Sequence, residues 1–261
     1  MSPCHRLAAA LILLLPAGAP AQTVSSIGIA TRPGVTQRVL LLTPGKPTAA
    51  VILFAGGDGF VGIDSTGNLQ RGGNFLVRSR QLFAEQGLVT AVIDAPSDMQ
   101  APPHLSGRRQ TREHVADVGA VIAWLRQRHA VPVWLVGTSR GTQSAAWVAT
   151  QLPPASGGPD GIVLTATVLN DPRSRAVPEM ALDRIRIPVL VAHHREDACR
   201  ICLFSDLPRL MDRLTTPPRR ELMVFEDGIS EGDPCQARAY HGFNGIEREV
   251  VTRIAAWITA P

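Results

Sequence analysis

The sequence predicts an α/β fold in which a mostly parallel central sheet is covered by helices on both faces. Apolar runs of strand length alternate along the chain with segments of helical periodicity, as in parallel sheets that are buried on both sides. One such run, residues 131–136, leads into Gly137-Thr138-Ser139-Arg140-Gly141 and then into a small-residue helical pattern. With about 240 residues after a removable N-terminus, the chain fits one domain of this class.

Residues 1–21 are predicted to be a signal peptide rather than part of the fold. Arg6 precedes an apolar run, and Ala19-Pro20-Ala21 has the small residues of a cleavage site. The apolar run is too short to span a bilayer, and no later segment is apolar enough to do so. We therefore expect export to the periplasm or medium after cleavage near Ala21, leaving residues 22–261 as a single mature domain.

The first half of the mature chain begins with irregular structure and then becomes regular. Residues 22–48 are turn-rich, with an edge-strand candidate at residues 37–42. Residues 49–54 and 88–93 are continuous apolar runs, which predict buried strands. Between them, residues 75–86 have apolar residues at helical spacing and are followed by a glycine, the preferred residue after a helix.

The second half continues the alternation of strands and helices. Residues 57–74 and 95–110 are the longest irregular stretches, and long loops in compact domains are often functional. The remaining predicted elements are a helix at 111–129, the strand and helix on either side of Ser139, strands at 161–169 and 188–193, a helix at 203–214, a strand at 221–225 and a helix at 245–259.

Ser139 is predicted to be a nucleophile on a tight turn. Gly137 and Gly141 flank it because a Cβ at either position would collide with neighbouring backbone. A bare G-x-S-x-G is common and also fits a structural turn. Here a buried strand precedes the motif and a helix follows it, which is the context of a nucleophile elbow.

Two further residues supply the chemistry that a serine nucleophile needs. A serine hydroxyl requires a base that takes its proton, and the base requires an orienting acid. Asp197 follows the strand at 188–193, and His241 follows the last strand. Both positions lie at the carboxyl ends of strands, where the sites of parallel sheets are found.

From about residue 37 to its end, the chain resembles the α/β-hydrolase family. Within that family it resembles an exported, bacterial-type serine hydrolase of the esterase kind. The resemblance rests on the elbow at 137–141, the post-strand Asp197 and the late His241, in the family's order of Ser, Asp and His. It implies an α/β-hydrolase fold with Ser139 as nucleophile, Asp197 as acid and His241 as base.

The resemblance also implies an oxyanion hole built from two backbone N–H groups. One belongs to Arg140, the residue after the nucleophile. The other comes from the loop after strand 49–54, with Gly57 as the first choice and Asp58 as the second. Where the family usually has His-Gly, this chain has Ala55-Gly56. Losing one such donor typically costs about 3 kcal/mol of transition-state stabilisation.

Several residues compete for these roles. Asp171 is the rival acid, because it also follows a strand, but Asp171-Pro172 makes an ordinary turn. His193 and His194 are rival bases, although their place beside the strand of the acid better suits packing. His104 could line the pocket but fits a plain surface histidine better.

Two further features near the elbow have more than one interpretation. The side chain of Arg140 binds an anionic substrate group or forms a structural ion pair, with Asp58 as a candidate partner. Trp134 and Trp147 flank the elbow and are predicted to be core residues rather than a substrate platform.

Three cysteines remain after the signal peptide: Cys199, Cys202 and Cys235. One C-x2-C lacks the second pair of a zinc site and the βαβ context of a redox motif, so we expect no metal. We predict a disulfide from the segment at 199–202 to Cys235; a Cys199–Cys235 bridge with Cys202 buried and free is the first choice, and Cys202 is the alternative partner of Cys235. The predicted bridge ties the Asp197 loop to the His241 loop and is worth roughly 3.8 kcal/mol in the chain-entropy model.

The sequence therefore predicts a serine hydrolase that cleaves a carboxylic ester, with no metal or organic cofactor. No long cap separates strands 161–169 and 188–193, which favours a small or polymeric ester. The arginines are scattered rather than clustered, so nucleic acid is not an expected partner. The alternatives are an amidase, peptidase or thioesterase on the same triad, a non-catalytic binding protein with this fold, and a disulfide-exchange protein.

Overall fold

The structure, a computed structural model, describes residues 22–260, so the predicted signal peptide lies outside the described residues. Within this range an eight-stranded sheet has the order β1-β2-β4-β3-β5-β6-β7-β8. The strands are β1 (Thr23–Arg32), β2 (Val35–Thr43), β3 (Ala49–Phe54), β4 (Leu88–Ile93), β5 (Val133–Thr138), β6 (Gly161–Thr165), β7 (Val189–His194) and β8 (Arg220–Phe225). The helices are α1 (Phe75–Arg78), α2 (Arg80–Glu85), α3 (Arg112–His129), α4 (Gly141–Gln151), α5 (Leu207–Arg213) and α6 (Glu247–Thr259).

The sheet is parallel from β3 to β8 and antiparallel only where β1 and β2 join it. Alternate residues of each central strand enter opposite cores. In β3, Ala50, Ile52 and Phe54 pack with α3, α4 and α5, while Val51 and Leu53 pack with α1, α2 and α6. The predicted mostly parallel sheet with helices on both faces is confirmed, and this topology is the α/β-hydrolase fold. In the described part of the chain, no helix combines the length and apolarity needed to cross a bilayer.

The prediction that residues 22–48 are mostly turns is wrong, because these residues form an N-terminal hairpin. They form β1 and β2 rather than a turn-rich segment, and β2 is an inner strand because it pairs with both β1 and β4. The edge is β1, whose residues are mostly exposed or half-buried. Such a strand has no continuous apolar run, so periodicity does not reveal it. It is fixed instead by Arg32, whose Nε donates to the buried carboxylate of Asp117 in α3 at 2.8 Å.

Three other elements are shorter than predicted. The helix at 75–86 is divided at Ser79 into α1 and α2. The strand at 161–169 ends at Thr165 because Ala166 takes a left-handed conformation with φ of 44°. The helix at 203–214 shrinks to α5, which has proline in its first turn, a position where proline favours a helix start.

Asp94, the residue after β4, holds the long loop at residues 57–74 against the sheet. Its Oδ1 accepts hydrogen bonds from the backbone N–H groups of Val61 at 2.8 Å and Gly62 at 3.2 Å, and its Oδ2 accepts from Ile63 at 2.8 Å. Asp94 is only 2% exposed. A buried carboxylate that receives several N–H bonds replaces the backbone partners that an irregular loop lacks.

We expect Asp94→Asn to lower the free energy of unfolding by about 2–4 kcal/mol, because the amide NH₂ would face buried N–H donors that lose their acceptor. The measurement is urea denaturation followed by tryptophan fluorescence. The matched control is Asp98→Asn, which breaks a partly exposed ion pair with Arg32 at 3.0 Å and should cost at most about 1 kcal/mol. Equal losses in the two variants would contradict the anchoring role of Asp94.

Candidate active site

Ser139 lies on the sharp turn between β5 and α4, with its backbone in the left-handed region at φ of 51°. Its N–H donates to the carbonyl of Thr165 at the end of β6 (3.0 Å). A Cβ on Gly137 would overlap the carbonyl of Gly141, and one on Gly141 would overlap that of Phe54. The two glycines therefore permit the close approach that places a strained, partly exposed serine at the carboxyl edge of the sheet.

Asp197 and His241 form a buried hydrogen-bonded pair. The Nδ1–H of His241 donates to Oδ2 of Asp197 at 2.8 Å, and the N–H of Cys199 donates to Oδ1 at 2.9 Å. Burial raises the pKa of Asp197, but hydrogen bonds from His193 and His241 outweigh it and lower this pKa to about 2. Asp197 is thus an anion at neutral pH that fixes the tautomer of His241.

The other ring nitrogen of His241, Nε2, is buried and has no hydrogen-bond partner among residues 22–260. With Nδ1 donating to Asp197, Nε2 carries the lone pair and is the nitrogen able to accept a proton. Ser139 and His241 line the same cavity of about 780 Å³. Their direct hydrogen bond is not formed in this arrangement, as is common for catalytic hydrogen bonds before substrate binds.

The loop at residues 55–59 passes directly against Ser139. A Cβ on Gly56 would lie 3.1 Å from Cβ of Ser139. Within the described residues, the backbone N–H groups of Gly57, Asp58 and Arg140 donate to no protein acceptor. These are the three N–H groups that the sequence assigned to an oxyanion hole. The geometry leaves both Gly57 and Asp58 available as the second donor beside Arg140.

The side chain of Arg140 pairs with Asp171, and the predicted alternative partner Asp58 is wrong. Its Nη1 donates to Oδ2 of Asp171 at 2.6 Å, and Asp58 instead binds Arg71 at 2.8 Å. The reason lies in the sheet order, because β6 is next to β5 and its following loop brings Asp171 to the start of α4. Arg140 and Ser174 thus bind the rival acid Asp171.

The rival bases have structural partners. Nε2–H of His193 donates to the carbonyl of Cys202 at 2.7 Å and lies 3.4 Å from Oδ2 of Asp197. His194 donates from Nε2 to the carbonyl of Asp227 at 2.9 Å. Both histidines are fully buried in β7, where they support the loops that carry Asp197 and His241.

The structure contradicts the position expected for His104 and confirms that Trp134 is a core residue. The expected surface position of His104 is wrong, because this residue is 5% exposed and its ring stacks on Phe60 with 4.4 Å between centroids. Trp134 is a core residue, as predicted, and packs edge-on against Trp257. Trp147 is only partly buried and lies under the guanidinium of Arg175.

A disulfide joins Cys199 to Cys235, and Cys202 is free and buried. It links the segment just after Asp197 to the segment just before His241. Ligand atoms of Cys199, Cys202 and His241 lie within 4.8 Å of one another. The sulfur of Cys199 is used by the disulfide and Nδ1 of His241 binds Asp197, so these residues do not offer three free metal ligands. Burial raises the pKa of the Cys202 thiol, which keeps it protonated.

Residues that hold the site together were missed by sequence reasoning. Arg109 is buried, and its Nη2 donates to the carbonyls of Ala55 at 2.9 Å and Gly57 at 3.2 Å. Arg78 donates to the carbonyl of Gly242, next to His241, at 2.7 Å. Each arginine acts on a segment far away in sequence, so no local motif signals its role.

Solved structures similar to this chain include hydrolases and esterases of low sequence identity. A dienelactone hydrolase from Anabaena variabilis has 13% identity and a TM-score of 0.60, covering 91% of this chain and 95% of its own. An esterase of Pyrococcus furiosus has 12% identity and a TM-score of 0.64, covering 90% of each chain. A serine hydrolase without lid from Xanthomonas campestris has 17% identity and a TM-score of 0.56, covering 88% of this chain and 94% of its own.

No protein-family model matches the chain, and no curated protein matches it significantly in sequence. At these identities the structural similarity establishes the α/β-hydrolase fold. The chemistry must be argued from the site of this chain itself.

Proposed function

We propose that the protein is an exported serine hydrolase that cleaves a carboxylic ester through an acyl-enzyme. The observation that carries the proposal is a strained serine elbow that shares one cavity with His241, whose ring is held by the buried carboxylate of Asp197. Strain at a nucleophile, an ionised acid and an unpartnered imidazole nitrogen are together the features of the serine triad. Export rests on the sequence of residues 1–21 and on the disulfide, which is typical of oxidising compartments.

In the proposed mechanism, Nε2 of His241 takes the proton of the Ser139 hydroxyl while its oxygen attacks the ester carbonyl. Asp197 holds the imidazole and stabilises its cation. The N–H groups of Arg140 and of Gly57 or Asp58 stabilise the negative oxygen of the tetrahedral intermediate. His241 then gives the proton to the leaving alcohol, and a water molecule activated by the same histidine hydrolyses the acyl-enzyme.

The open surroundings of the site favour a small or polymeric ester. Between β6 and β7, residues 166–188 contain only short 3₁₀ turns within the described structure, so no helical cap covers the cavity from that connection. Amides, peptides and thioesters could react by the same steps, and the choice among them is a matter for a substrate panel. Disulfide exchange is disfavoured because the Cys202 thiol is buried with a raised pKa.

The test is labelling of residues 22–261 by a fluorophosphonate probe, which reacts with activated serines. We expect labelling of the wild type and none of Ser139→Ala, with hydrolysis of p-nitrophenyl acetate lost in parallel. The matched control is Ser156→Ala, an exposed serine that lines neither cavity and should label normally. A folded wild type that neither labels nor cleaves esters would favour the binding-protein alternative, and labelling that survives Ser139→Ala would mean that another serine is activated.

A further inference from the structure

A second cavity, of about 370 Å³, adjoins the first at the loop of residues 55–59, here called the oxyanion loop because its N–H groups are proposed to bind the oxyanion. Both cavities are lined by Gly57 and Arg140, whose N–H groups are proposed to bind the oxyanion. His241 lines only the larger one. Because His241 must reach the leaving alcohol to protonate it, the alcohol belongs in the larger cavity. The acyl chain of the substrate then extends past the oxyanion loop into the smaller cavity.

The lining of the smaller cavity is strongly cationic. It includes four arginines and no acidic side chain: Arg109, Arg140, Arg173 and Arg175. The larger cavity, by contrast, has acidic residues as well as arginines. Asp171 offsets the charge of Arg140, but within residues 22–260 the other three arginines have no ion-pair partner. Three guanidinium groups without an ion-pair partner around one small cavity create a positive potential that favours an anion there.

Arg109 is the most unusual of the four. It is 5% exposed, its Nη atoms donate only to neutral acceptors, and its Nε is buried without a partner in the described structure. Burial and the nearby Arg140 lower the pKa of Arg109 to about 10, so it stays cationic at neutral pH. The charge of Asp58 acts on Arg109 without a direct bond, and Asp58 is itself paired with Arg71. A buried charge without a bonded counter-ion is costly, and an anion in the adjoining cavity would reduce that cost.

We propose that the smaller cavity is a subsite for an anionic group of the substrate. The preferred substrate is then an ester whose acyl chain ends in a carboxylate. The proposal rests on the proposed ester hydrolysis at Ser139. Arg173 and Arg175 lie on the exposed side of the cavity and are placed to meet the carboxylate as it enters. Guanidinium groups match the planar geometry of a carboxylate and bind it through two parallel hydrogen bonds. Hydrolysis of such a hemiester releases the alcohol and a dicarboxylate.

The first measurement compares kcat/KM for mono-p-nitrophenyl adipate and for its methyl ester, which has one additional methyl group in place of the terminal charge. We expect the anionic substrate to be preferred by at least about tenfold, the usual effect of one charge-assisted hydrogen bond. The double variant Arg173→Gln/Arg175→Gln should reduce this ratio by about tenfold. The control Arg112→Gln/Arg184→Gln removes the same charge from exposed positions outside both cavities and should leave the ratio unchanged.

The second measurement is calorimetric binding of adipate to the wild type and to the double variant, which needs no catalysis. Adipate binding that weakens in Arg173→Gln/Arg175→Gln supports the anion subsite. If neither ester is cleaved while this binding result holds, the hydrolase function is rejected and the anion subsite stands. Equal cleavage of both esters without adipate binding would overturn the subsite and leave the hydrolase standing. A ratio that falls equally in the control variant would also overturn it, because the effect would then be one of net charge.

Discussion

Asp197→Asn should lower kcat/KM for a p-nitrophenyl ester by about 10⁴-fold, the effect expected when the base of a triad is left in the wrong tautomer. The carboxylate of Asp197 accepts the Nδ1–H of His241 at 2.8 Å. An asparagine amide that donates to Nδ1 would move the proton to Nε2, which could then no longer accept the proton of Ser139. The change conserves shape and leaves an oxygen available for the N–H of Cys199.

The matched control is Asp171→Asn, because Asp171 is the other carboxylate that the sequence offered as the acid. It binds Arg140 rather than a histidine, so its loss should cost far less activity than the loss of Asp197. Rates and unfolding transitions of both variants would be measured together. A collapse of activity in Asp171→Asn with nearly normal rates in Asp197→Asn would reverse the assignment of the acid.

The ionisation of Asp197 makes the stability of the folded protein depend on pH. Hydrogen bonds from His193 and His241 outweigh burial and lower its pKa from 3.8 to about 2 in the folded protein. The stability from this group is therefore present above pH 3.8 and is lost as the pH falls toward 2. Since Asp197 is already ionised across the neutral range, the loss of activity in Asp197→Asn would reflect the tautomer and orientation of His241.

The sequence predicted the parts of this site that local pattern and strand order determine. Ser139 is recognisable because two glycines, a buried strand and a helix must accompany it. Asp197 and His241 each follow a strand, and a parallel sheet brings the carboxyl ends of its strands to one edge. Proximity of these residues was therefore predictable, whereas their catalytic roles stay predictions until the serine is labelled.

What the sequence could not predict depends on contacts between distant segments. The edge strand β1 is exposed on much of its surface, so it lacks the apolar run that reveals a buried strand. Arg109 is buried and donates to the carbonyls of Ala55 and Gly57, and a carbonyl partner gives no signal in the sequence. For the same reason, the pairing of Arg140 with Asp171 became evident only from the neighbouring positions of β5 and β6.

Removal of the disulfide by Cys199→Ser/Cys235→Ser should lower the free energy of unfolding by about 3.8 kcal/mol, because the unfolded chain regains the entropy of a loop closed across 36 positions. For a domain of this size the thermal midpoint should fall by about 10 °C. The measurement is urea and thermal unfolding without reductant. The control Cys202→Ala removes the free, buried cysteine and should cost about 1 kcal/mol through the small space that it leaves.

Activity in the disulfide variant separates two roles of this bond. His241 has its own supports, since it binds Asp197 and the carbonyl of the next residue, Gly242, accepts from Arg78 at 2.7 Å. We therefore expect kcat at 25 °C to change by less than about tenfold while stability falls, as for a link that acts mainly on the unfolded state. A large fall in kcat with little loss of stability would contradict this view. It would mean that Cys199 and Cys235 hold the acid and the base in register, because both lie within a few residues of them.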